Sequence, residues 1–400
     1  MIHEPQSVHT TVTGLAAAHL VTDIYMPVLP AILPLLILNN GYSYLAAGLL
    51  VTAYNVTSSF TQPVLGWLSD SKGLTVNLSI SLMISAVFVA LMGIATSYYM
   101  IMIFAVLAAL GHACFHPAAL SRVSRLCTSE NRGRVTSYFV VGGNLGYALG
   151  PILAGALVIW LGLFGLLLLI FPALFMACAL RYLLPGGIAG ARRAHMEPGQ
   201  GTKDIISKKP FMILMVASVL RAWAIFAAIT YLPMYLVTQG YDLFTASMIV
   251  TLMLLAGVAG QIAGGQISDR YGRKEFMVVG LACSIPAFYL FYVSSGIVAM
   301  IAILLFGFAL WSTFAVAVAM SHELLPHNVG LASGIMLGLA IGFGGIGVAV
   351  NGIIADQYSL AAALGTIPIP IAGAVLLMIL LPYPWKSFQR RFVQARVAKK

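Results

Sequence analysis

GWLSDSKG at residues 66–73 and GQISDRYG at residues 265–272 are one phrase written twice. Gly, Ser, Asp and Gly recur at matching places, 199 residues apart (265 − 66). Each copy follows the second long apolar run of its part of the chain. A further pair, SYFVVGGNLG (137–146) and SGIMLGLAIG (333–342), shares Ser and two Gly at an offset of 196 (333 − 137). Internal repeats on this scale mean a chain assembled from two related halves. Between them, PGGIAGARRAHMEPGQGTKDIISKKP (185–210) is rich in Gly, Pro and basic residues. The expected organisation is a first half over 1–184, a basic linker over 185–210, a second half over 211–385 and a basic tail over 386–400.

Composition says where those halves live. Of 400 residues, 60% are hydrophobic and 8% charged, with a mean hydropathy of +0.97. A soluble domain carries about 25% charge. A bilayer-crossing helix needs about 20 apolar residues. Twelve such runs are expected, from 12–38 and 45–68 at one end to 330–355 and 360–381 at the other, six in each half. The fold class is therefore an all-α membrane protein of twelve transmembrane helices. The N-terminal MIHEPQSVHT lacks a basic leader and the first run is too long for a signal peptide, so that run is expected to be kept as the first span.

Lys and Arg fix the orientation. Lys72, Arg122, Arg125, Arg132, Arg134, Arg270, Arg273 and Lys274 fall in the even-numbered turns. Six more lie in or beside the linker and six in the tail, which accounts for 20 of the 21 basic residues. All sit on one side of a twelve-span arrangement whose termini share that side. By the positive-inside rule that side is the cytoplasm, so a multi-pass chain with both termini inside is expected. The net charge of +10 thus serves topology and gives no reason to expect a nucleic-acid partner. Cys114, Cys127, Cys178 and Cys283 are scattered, as small packing residues are.

The twenty-first basic residue, Arg221, lies inside the seventh run. Asp23 lies inside the first, and 23 + 199 falls beside Arg221. Each is about ten residues into its span, roughly 15 Å deep at 1.5 Å per residue. A charge at that depth is costly and functional by default, and transporters built from two halves bind substrate there. Asp23 reads as a proton carrier, against a structural carboxylate at a kink near Pro27 and Pro30. His19, one helical turn away, would share or relay the proton. Arg221 reads as an anion-binding group, because guanidinium stays charged and offers a planar fork to carboxylate or phosphonate. Without substrate, Asp23 and Arg221 are expected to pair. His112 and His116, also four apart, would line the cavity or relay protons. Two imidazoles are not a metal site, so no metal is expected.

GGQISDRYGRK (264–274) resembles the loop signature of the major facilitator superfamily, and GYALGPILAG (146–155) resembles the GxxxGP motif of its proton-coupled exporters. AHLVTDIYMPVLPAI (18–32), GHACFHPAALSRVSR (111–125) with VVGGNLGYALGP (140–151), and HELLPHNVGLASGIMLGLAIGFGGIGVAVNGIIAD (322–356) resemble the fosmidomycin-resistance branch. The resemblance implies two pseudo-symmetric six-helix halves and a proton-coupled antiporter exporting small anionic or amphiphilic compounds such as phosphonate antibiotics, hence antibiotic resistance by efflux. It implies gate and loop roles for Asp70, Gly73, Asp269, Arg270, Gly272, Arg273 and Lys274, with Glu323 in a gate salt bridge. The first-half loop, DSKGLTVN, departs from the pattern by lacking the basic pair after Gly73. Gly142, Gly146, Gly150 and Pro151 would form a close-packed, kinked helix at the interface between the two halves, with Gly342 in the second-half counterpart.

Other readings remain open from the residues. An uptake symporter of organic anions or a lipid flippase would use the same fold. An intramembrane enzyme would need a nucleophile or further ligands that the few buried polar groups do not supply. No nucleotide-binding fingerprint is present, so no ATP and no cofactor are expected. The two-half design works as a monomer, with a small molecule, protons and the bilayer as partners.

Overall fold

The protein is described by a computed structural model covering residues 8–72, 76–126, 132–183, 208–326 and 329–385. The linker between 184 and 207, the tail from 386 and Gly73 lie outside the described residues, as do the side chains of Asp70 and Arg125. The described residues form twelve helical rods. The first, α1, runs over 8–40, and α2 is Tyr44–Lys72, α3 Leu78–Ile94, α4 Tyr98–Leu126, α5 Arg132–Leu161 and α6 Leu163–Leu183. The second six are α7 Lys208–Thr238, α8 Leu243–Tyr271, α9 Arg273–Val293, α10 Gly296–Leu324, α11 over 329–357 and α12 Leu360–Leu380. Ten are long and apolar enough to cross a membrane. The other two are α2, which is long but more polar, and α3, which is short. Large apolar side chains face outward, with Trp160 84% and Phe175 75% exposed. Water would not tolerate such a surface, whereas lipid requires it.

The pairing of helices repeats when six is added to each number. Helix α1 packs on α5 as α7 packs on α11, α2 on α4 as α8 on α10, and α3 on α6 as α9 on α12. The two halves then meet through α2 with α11 and through α5 with α8, contacts that exchange under the same operation. This is the pseudo-twofold arrangement that the repeated phrases imply, with an axis along the membrane normal.

Local sequence decides where the rods bend. In α1 the regular helix stops at Ile24 and resumes at Val28. Pro27 offers no N–H and crowds the preceding turn, so the chain loosens immediately after Asp23. In α11 a π turn occupies Ile335–Leu339, a local widening that recurs at functional sites. Gly272, at φ +114, makes the one-residue corner between α8 and α9, a conformation that favours glycine.

The glycines of α5 face α1 of their own half. A Cβ on Gly142 would stand 2.5 Å from the Ala16 carbonyl, one on Gly146 would run into the Leu20 carbonyl, and one on Gly150 would stand 2.5 Å from the Ile24 carbonyl. Steps of four on one helix thus meet steps of four on the other. The expected contact with the opposite half is made instead by other residues of α5. Asn144 donates to Gln261 of α8, and the Ile152 amide donates to Thr251 at 3.1 Å. Gly342 does lie at the meeting of the halves, where a Cβ would stand 2.7 Å from Ser59 of α2. Replacing Gly146 with Ala forces α1 and α5 apart and should lower stability by about 1–3 kcal/mol, the usual cost of overpacking. Thermal unfolding of the purified variant in detergent measures it. An unchanged melting temperature would show that the two helices are not locked at this point.

Candidate functional site

Asp23 lies in the last turn before the break in α1, with His19 one turn before it on the same face. The His19 Nε2 lies 3.1 Å from Asp23 Oδ2. The other carboxylate oxygen meets a residue from a different helix, with His116 Nε2 of α4 at 3.2 Å from Asp23 Oδ1. The two Nε2 atoms are themselves 3.2 Å apart. Three titratable groups therefore close a triangle. Gly143 of α5 leaves room for it, since a Cβ there would stand 2.6 Å from Asp23 Oδ2 and strike the His19 ring. Phe139 stacks on His19 with centroids 4.1 Å apart.

The far nitrogen of each ring fixes its tautomer. His19 Nδ1 lies 2.8 Å from the Phe139 carbonyl, and His116 Nδ1 lies 3.0 Å from the His112 carbonyl. A carbonyl oxygen only accepts, so both Nδ1 atoms carry hydrogen and donate. Proton exchange is thereby confined to the two Nε2 atoms and the carboxylate. With both Nε2 atoms bare, two lone pairs would face each other and an anion at about 3.2 Å. One proton inside the triangle turns repulsion into donor–acceptor contacts. The ligand atoms all lie within 4.8 Å of one another, close enough to hold one small cation together.

The sequence pairs His112 with His116 by spacing alone. In the structure only His116 reaches Asp23. His112 stands behind it, with ring centroids 4.4 Å apart, and borders Tyr54 of α2 at 5.9 Å.

Arg221 lies in α7, 3% exposed, with its guanidinium 4.9 Å above the ring of Phe314 of α10. The expected ion pair with Asp23 is not formed; the partners of Asp23 are the two imidazoles. Arg221 makes no ion pair among the described residues, and its Nε and one Nη have no hydrogen-bond partner. Ser218, three residues before it, has an unpartnered hydroxyl as well. A buried charge held only by a ring face is costly to keep.

A narrow pocket with room for about one water lies between α1, α2 and α5 of the first half and α7 of the second. Met26, Leu29 and Phe226 make it largely apolar. The Asn55 amide nitrogen and the Thr230 hydroxyl, both buried among its lining residues, have no partner. Sequence reading passed over these two because a single Asn or Thr in an apolar helix carries no pattern.

The loop residues form a separate network on the basic side. Arg273 bonds Asp269 at 3.2 Å and Glu323 at 3.1 Å, and Tyr383 donates to Glu323. Lys274, 3% exposed, donates to the carbonyls of Ile379 and Leu381 at 3.1 and 2.6 Å and lies against Trp385. It thus closes the C-terminal end of α12, whose last carbonyls lack helical partners. Arg270 lies over Tyr271. All these contacts stay within the second half, binding α8, α9, α10 and the end of α12 into one unit.

The model of the Major Facilitator Superfamily matches residues 12–336 and 242–399, which together take in nearly the whole chain. The chain belongs to the Major Facilitator Superfamily. As a superfamily member it is a membrane transporter that moves a small molecule across a lipid bilayer, and its relatives are transporters rather than enzymes. It is 29% identical over 357 residues to the Fosmidomycin resistance protein of Escherichia coli (strain K12), covering 87% of this chain and 86% of that one. It is 28% identical to the uncharacterized MFS-type transporter YfnC of Bacillus subtilis (strain 168), over 91% of this chain and 90% of that one. In three dimensions it resembles the bacterial homologue of the lysosomal transporter Spinster, solved in an inward-facing and occupied conformation. That match has a TM-score of 0.79 at 15% identity over 95% of this chain and 96% of the other, and it speaks to the fold alone.

Proposed function

We propose that this superfamily member is a proton-coupled exporter of small anionic or amphiphilic compounds, phosphonate antibiotics among them, working by alternating access around a site between its halves. One observation carries the reading. Each half buries an ionic group that lacks a fixed partner of the kind it needs. In the first half, the Asp23–His19–His116 triangle is complete only with a mobile proton. In the second, Arg221 is a permanent cation with unpartnered donors and no counter-ion among the described residues. A proton from one side and an anion from the other satisfy them in turn.

The chemistry follows from the charges. With one proton inside it, the triangle is neutral overall, Asp23 being balanced by one imidazolium. A second proton makes it cationic and weakens the hold on the carboxylate. Substrate anion on Arg221 neutralises the second half, and its apolar part would face Met26, Leu29 and Phe226 once the narrow pocket between the halves opens. In this reading the two loads alternate, the anion on Arg221 in one stroke and the coupling proton in the triangle on the return stroke, so one is exchanged for the other without a nucleotide. In this reading both termini are cytoplasmic, the membrane is the bacterial inner membrane, the unit is a monomer, and residues 185–210 link the halves.

The test uses the full chain in proteoliposomes with an imposed pH difference and radiolabelled fosmidomycin. Movement of drug against the direction of proton flow is expected, and it should collapse when a protonophore is added. Drug movement together with the protons would establish an uptake symporter instead. Movement that ignores the gradient would remove proton coupling from the reading.

A further inference from the structure

The carboxylate of Asp356 leaves its own half of the molecule. Asp356 sits in the final turn of α11, solvent-exposed, on the face opposite the basic turns. Its Oδ1 accepts from the Tyr44 amide at 2.7 Å and its Oδ2 from the Leu45 amide at 3.0 Å. Those are the opening N–H groups of α2, which no helical carbonyl can satisfy. They also lie at the positive end of a 29-residue helix dipole, where an anion is favoured. An aspartate normally caps the helix that follows it. Here the cap crosses between halves, 312 residues away.

The same face of α11 continues the junction. Val348, Gly352 and Asp356 recur every four residues. A Cβ on Gly352 would stand 2.7 Å from the Leu45 Cα, so the backbones touch directly. The Tyr231 hydroxyl of α7 donates to the Val348 carbonyl at 2.8 Å and reaches the Tyr44 carbonyl at 3.4 Å. Deeper in, Thr52 of α2 donates to the Gly345 carbonyl at 2.9 Å. Toward the basic side the contact relaxes. A Cβ on Gly338, in the π turn, would meet the Ser59 carbonyl at 3.2 Å, less closely than the 2.7 Å at Gly352, and one on Gly334 would meet nothing within 4 Å. Among these contacts Asp356 supplies the only full charge, and it stands at the rim where water enters first.

We propose that Asp356 is a latch between the halves, and that release of its two hydrogen bonds is the step that opens the face opposite the basic turns. The proposal rests on the alternating-access reading but not on protons, substrate or direction of transport. When the latch parts, water solvates both the carboxylate and the two amides, so nothing is left buried and unpaired. This makes the junction reversible, unlike a fastener in the middle of the membrane. The π turn lets the two ends of α11 move separately.

Hydrogen exchange of the full chain in lipid nanodiscs tests this, comparing the native protein with Asp356→Ala, Asp356→Asn and Gly352→Ala. Loss of an aspartate cap corresponds to about a 5- to 30-fold change in equilibrium. Asp356→Ala should therefore speed exchange about 5- to 30-fold across 44–54 and 345–357, with slower exchange at the basic ends of α2 and α11. Asp356→Asn keeps one acceptor and should fall between. Gly352→Ala leaves the charge in place but wedges the same backbones apart, and should give the same reciprocal pattern. Faster exchange confined to Tyr44 and Leu45, with the basic ends unchanged, would make Asp356 a local cap and overturn the proposal. Faster exchange throughout in both Asp356→Asn and Gly352→Ala would overturn it too, because a latch exchanges one closed end for the other. Either result would leave the transport assay free to stand or fall independently.

Discussion

Asp23→Asn should abolish proton-driven transport while leaving the protein folded and able to bind an anion. The asparagine keeps the shape of the carboxylate and brings its own donor. Its amide N–H can point at the bare Nε2 of His19 or His116, now 3.1 and 3.2 Å from the carboxylate oxygens. The amide satisfies one Nε2 permanently, and with the carboxylate charge gone no anion remains to balance a shared proton. Coupling free energies between sites are typically about 1–3 kcal/mol, or about 5–150-fold in affinity. The pH dependence of drug binding should shrink by that factor toward none, and gradient-driven drug movement should fall to background. Proton release on drug binding, followed with an indicator dye in weak buffer, measures the first, and proteoliposome flux the second. A variant that still concentrates drug against its gradient would place the coupling proton elsewhere.

Arg221→Met should remove anion binding without destabilising the empty protein. Methionine retains much of the aliphatic stem and stays against Phe314, but the guanidinium is gone. Hydrogen bonds to a charged group contribute about 1.5–3 kcal/mol, so drug affinity should fall about 10- to 100-fold. The sign of the stability effect separates function from structure. A structural arginine is missed when it is lost. An arginine with unpartnered donors at 3% exposure is a burden on the empty state, so its replacement should leave the melting temperature unchanged or raise it. The stabilisation that the drug confers on the native protein should disappear in the variant. Arg221→Lys should rank between them, keeping the charge and losing the planar fork. A clear drop in melting temperature with unchanged drug affinity would make Arg221 a packing residue.

Much of the fold was legible along the chain, and most of the site was not. Lipid transfer energy is nearly additive along a helix, so hydropathy alone marks the rods, even α3 with its 17 residues. The repeated phrases announced two halves, and the step-of-six packing bears this out. The i, i+4 spacing placed His19 beside Asp23 because helical neighbours are a local property. His116 was a different matter. It lies 97 residues from His19, and the spacing offered His112 as its companion. The glycines of α5 were legible as a close-packing stripe, yet their partner was misread, because a stripe shows that a helix is approached closely and not which helix approaches. Asn55, Gly143, Thr230 and Asp356 carried no signal at all.

The sequence by itself thus determined that this chain crosses the membrane many times in two related halves, that its basic residues gather on one side, and that an aspartate and an arginine are committed to lipid depth. Those properties depend on hydrophobicity, period and charge, each of which is summed along the chain. Only the tertiary structure decided that Asp23 is held by two histidines and not by Arg221, that Arg221 has, among the described residues, a ring face and unpartnered donors, and that Asp356 caps a helix of the opposite half. A buried charge takes the partner that helix rotation and crossing bring within about 3 Å, and those are set by packing between segments that the chain places far apart.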